Sequence, residues 1–260
     1  MTVLVFGSAK GSPGVTTTVL ALAARWPEHR EPLVVEADPA GGDMVARLAS
    51  LEGDTGGLRD TPSTVQLAAA SRRGLNSTAL LEHAQRLPGM GEVRALLSPA
   101  SAFASTTALG ELVNADLAGH LAALSGHDAL IDAGTVHPAS PMLTVLRSIR
   151  WLNLVARPTL ESILHTRELV AALGAMGVRC SVVVIGDRPY SPIDVAEATG
   201  THLLGSLPAD LIGAAALAGE ARSPKILGRS RLIRSAAVIA SSLAETPGAH
   251  GPAQPIGASR

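Results

Sequence analysis

Short runs of Val, Leu and Ile recur along the chain, each bounded by Gly, Pro or Asp. Longer Ala/Leu-rich stretches with helical spacing lie between them. Apolar runs of this length, uninterrupted by alternating polar residues, predict strands covered on both faces. They fall at Val3–Phe6, Pro32–Val35, Ala129–Ile131, Trp151–Ala156, Cys180–Ile185 and Leu203–Leu207, with a shorter strand and turn over Glu92–Pro99. Helices are predicted from Thr16 to Ala24, over one or two segments within 62–87, from Leu109 to Leu124 behind a Ser105-Thr106-Thr107 cap, over Leu160–Leu173, and from Arg231 to Ala244. Strand and helix alternate. That order predicts an α/β fold, a three-layer arrangement with a mostly parallel sheet and helices on both faces. Residues 1–245 read as one domain, and the Pro/Gly/Ala-rich residues 246–260 as a disordered tail.

Composition narrows the picture. Aromatic residues make up only 2% of the 260-residue chain against 47% hydrophobic residues, so the core must be built from Ala, Val, Leu and Ile. A net charge of −1 provides no global attraction for nucleic acid. The single Cys180 rules out an internal disulfide and fits a reducing compartment. No apolar run approaches the roughly 20 residues that a membrane-spanning helix needs, so a soluble, cytoplasmic protein is expected.

The first strand leads into the densest chemistry, Gly7-Ser8-Ala9-Lys10-Gly11-Ser12-Pro13-Gly14-Val15-Thr16-Thr17-Thr18. Strand, Gly-rich turn and helix start are the layout of a phosphate-binding loop. Gly11 and Gly14 permit a tight turn that exposes backbone N–H groups, and the helix N-terminus adds partial positive charge. Thr16 stands where such a loop places its Mg²⁺-ligating hydroxyl. The usual motif requires Lys immediately before that hydroxyl, to reach the β- and γ-phosphates. Here the position holds Val15, and the first Gly position holds Ala9. On the loop alone, an ordinary strand–turn–helix junction of small residues reads similarly. Two further strands end in carboxylates, at Glu36-Ala37-Asp38-Pro39 and at Asp132. Carboxylates at strand ends beside a phosphate loop are how such folds hold Mg²⁺ and its waters.

With these residues in place, the chain resembles the ParA/MinD family of deviant-Walker-A ATPases, over roughly residues 1–245. The family loop reads K-G-G-x-G-K-T-T, and Lys10–Thr17 matches it except at Ser12 and Val15. The resemblance implies a P-loop NTPase fold that binds ATP and Mg²⁺. Lys10 would be the signature lysine, which reaches a partner's phosphates across a homodimer. Asp38 would orient the attacking water, and Asp132 would be the Walker B aspartate, so Thr16, Asp38 and Asp132 become the metal candidates and Asp38 and Lys10 the catalytic ones. The implied nucleotide contacts are Lys10, Gly11, Ser12, Pro13, Gly14, Val15, Thr16 and Thr17, with Asp187 at the base, and Pro208 and Asp210 in a segment resembling the family's L-G-x-I-P-x-D. Only two of the 21 basic residues are lysines, Lys10 and Lys225, so Lys appears where the signature needs it in a chain that otherwise uses Arg.

Losing one charge-assisted contact at Val15 weakens nucleotide binding by about tenfold to a hundredfold. Hydrolysis is more exposed to the loss, because phosphoryl transfer rests on charge neutralisation in the transition state. The expectation is weak or absent hydrolysis. Degenerate members of the family resemble the TadZ/CpaE type, which implies a switch or scaffold for a pilus or secretion machine. Two other readings stand beside this one. An active partition ATPase would use the basic segment 222–234 on DNA phosphates, although those five basic residues also fit a solvated helix face. A scaffold would leave the loop empty. The tail carries no basic amphipathic helix of the kind that anchors MinD to membranes.

Overall fold

The structure, a computed structural model, describes residues 2–11, 13–48, 57–137, 140–220 and 230–245. Ser12, residues 222–229 of the basic segment and the tail 246–260 lie outside the described residues. In chain order the elements are β1 (Val3–Ser8), α1 (Val15–Ala23), β2 (Glu31–Glu36), α2 (Met44–Leu48), α3 (Thr64–Ser71), α4 (Ser77–Glu82), β3 (Gln85–Arg86) and β4 (Arg94–Leu96). Then follow α5 (Ala102–Asn114), α6 (Leu117–Ala122), β5 (His127–Thr135), α7 (Met142–Ile149), β6 (Trp151–Ala156), α8 (Leu160–Ala175) and β7 (Arg179–Ile185). The chain continues through α9 (Pro192–Thr199), β8 (His202–Leu207), α10 (Leu211–Leu217) and α11 (Arg231–Glu245).

The strands form one eight-stranded sheet in the order β3-β4-β2-β5-β1-β6-β7-β8. Its ladders are parallel, and β3 joins β4 antiparallel at one edge. Successive side chains of a strand point to opposite faces, and the burial follows that alternation. Val3 and Val5 of β1 pack into one core with residues of α3 to α9, while Leu4 and Phe6 pack into a second core with α1, α2, α10 and α11. The mostly parallel sheet between two helical layers is the architecture that the apolar runs predict.

Local chemistry sets the helix ends. Ser63 and Gln66 form a capping box at α3, and Ser191 and Asp194 form another at α9, which has Pro192 in its first turn. Thr159 caps α8 through the Ser162 N–H. The expected helix over Leu109–Leu124 is two helices. It starts earlier, capped by Ser101, and breaks at Asp116, which sits in the left-handed region at φ 58° and caps α6. Ser105 is therefore not a cap. It is buried inside α5, its hydroxyl donates to the Asp38 carbonyl at 2.8 Å, and Thr106 donates to the Pro39 carbonyl at 3.1 Å. The short helices α2, α7, α9 and α10 have no counterpart in the sequence reading, because five to eight residues carry too little periodicity to register.

The order of the sheet also fixes where a ligand can sit. From β1 the chain crosses to β2 on one side, whereas from β6 it runs to β7 and β8 on the other. Adjacent strands whose connections leave in opposite directions open a crevice at their carboxyl ends, where ligands of such sheets bind.

Candidate nucleotide site

The loop after β1 lies at that crevice. Gly11 and Gly14 take left-handed conformations, φ 71° and 109°, which a side chain would strain. The Gly11 carbonyl accepts from Ser8 Oγ at 3.5 Å and Thr135 Oγ1 at 3.3 Å, which ties the loop to the ends of β1 and β5. Gly14 is the N-cap of α1, and no side chain caps that helix. Its first-turn N–H groups therefore face the cleft without a protein side chain competing for them. Thr18 instead turns back, donating to the Gly14 carbonyl at 2.8 Å.

A cleft of about 600 Å³ opens over the loop. Its walls bring together Gly11, Pro13, Gly14, Val15, Thr16 and Thr17 of the loop, Asp38, Gly134 and Thr135 at or just past strand ends, 185–188 from the last residue of β7 onward, and 208–211 after β8. Most of the sequence-predicted residues thus converge from five segments. Val15 is 6% exposed and joins the core below α1, so the usual lysine position presents only an aliphatic side chain to the cleft. Lys10 is exposed and does not line this cleft. It lines a second cavity of about 390 Å³, shared with Arg157, Glu161 and His165 and with Gly11 and Pro13, which line the main cleft too.

Asp132 lies behind the cleft wall, fully buried on β5. Its carboxylate accepts from the Thr16 hydroxyl and from the Gly134 N–H, the latter at 3.0 Å. Burial pushes its pKa up to about 6, against those two hydrogen bonds, which favour the charged form. Asp38 reaches the cleft directly. Its Oδ1 accepts from the Ala40 N–H at 2.8 Å, and burial raises its pKa, aided by Asp43 and opposed by His137. Gly134, at φ 57°, lies against the Asp38 carboxyl group, and a Cβ there would overlap it.

Asp187 and Pro208 line the far end of the cleft. Asp210 lines it too, but its carboxylate is committed to helix ends. It accepts from the Gly213 N–H at 2.9 Å, from Ser230 Oγ at 2.9 Å, and from the N–H groups of Arg231 and Leu232 at the start of α11. Those bonds lower its pKa, the Gly213 N–H most.

Three contributors escape sequence reasoning. Glu36, two residues before Asp38, is 2% exposed. It accepts from the N–H groups of Asp43 (2.7 Å), Met44 (2.9 Å) and Ser98 (2.9 Å), which knots the Asp38 loop to the end of β4. Arg47 lines the cleft while paired with Asp43 at 2.9 Å. Arg157, directly after β6, lines both cavities. The strand-end position of Glu36 was the available signal. Nothing in the spacing of Arg47 or Arg157 relative to the loop announces either.

Among the described residues no group of three His, Cys, Asp or Glu side chains is placed to hold a metal by itself. The oxygen donors at the loop fit Mg²⁺ in another way. Mg²⁺ retains waters and is commonly held by one or two protein oxygens together with substrate phosphates. Thr16, oriented by Asp132, and Asp38 could supply such oxygens.

No model of a known protein family matches the chain, and no curated protein does. Solved structures do match. A ParA family ATPase from Chlorobium tepidum TLS superposes with a TM-score of 0.70 at 18% identity, covering 92% of this chain and 98% of that one. The chain has the ParA/MinD fold. The septum site-determining protein MinD from Pyrococcus horikoshii OT3, in complex with Mg-ADP, gives 0.69 at 18% identity, covering 96% and 98%. An ATP complex of McdA from Cyanothece gives 0.67 at 16%, covering 94% and 96%. The alternation of strands and helices and the sheet with its two helical layers are therefore those of the ParA/MinD fold. No helix among the described residues is long and apolar enough to cross a membrane.

Proposed function

We propose that this protein is a ParA/MinD-like nucleotide-binding positioning or assembly factor, with ATP–Mg²⁺ as ligand and weak or absent hydrolysis. The observation that carries the reading is the cleft itself. An uncapped helix N-terminus, a Gly-rich loop, Thr16 backed by buried Asp132, and Asp38 surround one space large enough for a nucleotide, in which Val15 replaces the expected cation. The fold's relatives support the ligand class: the Pyrococcus horikoshii MinD structure holds Mg-ADP and the McdA structure holds ATP. Backbone N–H groups and Thr16 would bind the phosphates and Mg²⁺. Without the lysine at position 15, transition-state charge on the γ-phosphate goes less well neutralised, so binding persists while turnover falls.

Nucleotide-linked homodimerisation is the switch in this reading. Lys10 stands outside its own cleft and exposed, a position from which it serves a neighbouring copy. The machine served is a pilus or secretion type of assembly, by likeness of the degenerate loop to TadZ/CpaE proteins. The partition alternative depends on a basic segment of which only Arg231 and Arg234 are described, both on the exposed side of α11.

The test is ATP–Mg²⁺ titration by calorimetry, with solution mass and phosphate release followed in parallel, on the native chain and on Lys10→Ala. The expected result is saturable binding, a shift to dimer that Lys10→Ala abolishes, and phosphate release near background. Steady phosphate release would instead assign an active ATPase. No heat up to about 1 mM ATP, a ceiling near 4 kcal/mol of affinity, would reduce the cleft to a structural remnant.

A further inference from the structure

The loop lacks its cation, yet a nucleoside triphosphate brings several negative charges to it. Three basic side chains line the main cleft among the described residues: Arg47, Arg157 and Arg188. Arg47 is held by Asp43 at 2.9 Å on the side of the carboxylates, where its charge already acts on Asp132. Arg188 follows β7, two strands away from β1 at the far end of the cleft. Arg157 is differently placed. It is the first residue after β6, the strand paired with β1, on the opposite side of the crevice from the phosphate loop. It shares both cavities with Gly11 and Pro13 of that loop. Its backbone N–H is bound by Ser162 Oγ at 3.0 Å, which fixes where the side chain starts, and no carboxylate pairs with its guanidinium among the described residues. The residue is exposed, so its charge carries no burial cost before a ligand arrives.

We propose that Arg157 supplies the phosphate-binding cation that position 15 lacks, clamping the β- and γ-phosphates of a nucleoside triphosphate from the β6 side of the loop. This rests on the proposed nucleotide-binding function. A guanidinium suits the role, because its planar fork engages two phosphate oxygens at once, whereas the ammonium of the usual loop acts as a point charge. Approach from β6 also differs from approach along α1. The same phosphates are held from the opposite wall, and Val15 can then remain in the core.

The experiment measures ATP–Mg²⁺, ADP–Mg²⁺ and adenosine binding by calorimetry on the native chain, Arg157→Gln, Arg157→Lys, Arg47→Gln and the double variant Val15→Lys/Arg157→Gln. Ligand-free melting temperatures show that each variant is folded. Arg157→Gln should weaken ATP binding about tenfold to a hundredfold, the range of one charge-assisted contact. It should weaken ADP less and leave adenosine unchanged. Arg157→Lys should keep part of the affinity, and Val15→Lys should restore the loss in the double variant. Arg47→Gln should fall short of the Arg157 effect. Native ATP binding with an unchanged Arg157→Gln affinity overturns this assignment alone, as does an equal loss for adenosine. An absence of nucleotide binding by the native chain overturns both this assignment and the function on which it rests.

Discussion

Glu36 offers the sharpest test of how the site is held. Replacing it by Ala removes the acceptor of three backbone N–H groups, those of Asp43, Met44 and Ser98, and leaves the Met44 and Ser98 groups in buried surroundings. An unsatisfied buried N–H costs about 1–3 kcal/mol, so these two together cost about 2–6 kcal/mol. Removing the carboxyl's own desolvation offsets part of that, and the expected net loss is about 3 kcal/mol. For a chain of this size it corresponds to a fall of about 6–12 °C in Tm. The acid–base behaviour gives a second handle on the same residue. Burial, opposed by the three N–H bonds, pushes the Glu36 pKa from the ordinary 4.5 up to about 7. Between those values the folded chain holds a proton that the unfolded chain releases, so stability is highest at the acid end and falls as pH rises through 7. The gap is worth about 3 kcal/mol. Asp132 adds a slope of the same sign, complete by about pH 6. Glu36→Gln cannot titrate, and it sets an amide N–H₂ against the Ser98 N–H. Urea denaturation of native and Glu36→Gln protein from pH 4.5 to 8, without nucleotide or Mg²⁺, isolates the contribution as the difference between the two curves. A native-minus-variant difference that stays constant from pH 6 to 7 would refute the burial argument. A Glu36→Ala protein within about 0.5 kcal/mol of the native chain would refute the role of the three N–H bonds.

Two further substitutions probe the scaffold around the cleft. Gly134→Ala places a Cβ against the Asp38 carboxyl group at a φ of 57°, where the left-handed conformation alone costs about 1–2 kcal/mol. The melting temperature should drop, and Mg²⁺-dependent ATP affinity should fall with it as Asp38 is displaced; unchanged affinity would show that Asp38 is not needed where it stands. Asp128→Asn acts at the opposite end of the sheet, where the buried carboxylate accepts from the Thr2 N–H (2.7 Å), Trp26 Nε1 (3.0 Å) and Arg30 Nε (2.6 Å). It should lower stability by about 2 kcal/mol with no change in nucleotide affinity, read from the denaturant midpoint and calorimetry together.

Much of the site was legible because its signals are local. The Gly11–Gly14 turn and Asp38 follow the ends of apolar strands and Thr16 opens the helix after the turn, and a parallel sheet carries all strand ends of one sense to one edge. Asp132, expected at a strand end, instead lies inside β5, which runs on to Thr135 because Ala133 and Gly134 continue the ladder. The absent lysine was legible too, as a plain substitution at position 15. Helix boundaries fared less well where capping candidates compete. Ser101 and Ser105 are both able to cap α5, and the choice falls to Ser101 because Ser105 is drawn inward to the Asp38 carbonyl and Ser98. That preference is a tertiary contact across 67 residues of chain.

The sequence by itself determined the layered α/β architecture and the chemical character of the loop, since apolar period, turn glycines and strand-end acids act over a few residues. Only the tertiary structure decided which groups meet there. The order β5-β1-β6 sets Asp132 behind Thr16, puts Arg157 across the crevice from the loop, and leaves Lys10 off the main cleft, in the second cavity. Glu36 becomes the clasp of the Asp38 loop because β2 lies beside β4, which brings Ser98 to a residue 62 positions earlier. Strand order is set by packing energy summed over the whole sheet, and no window of sequence contains it.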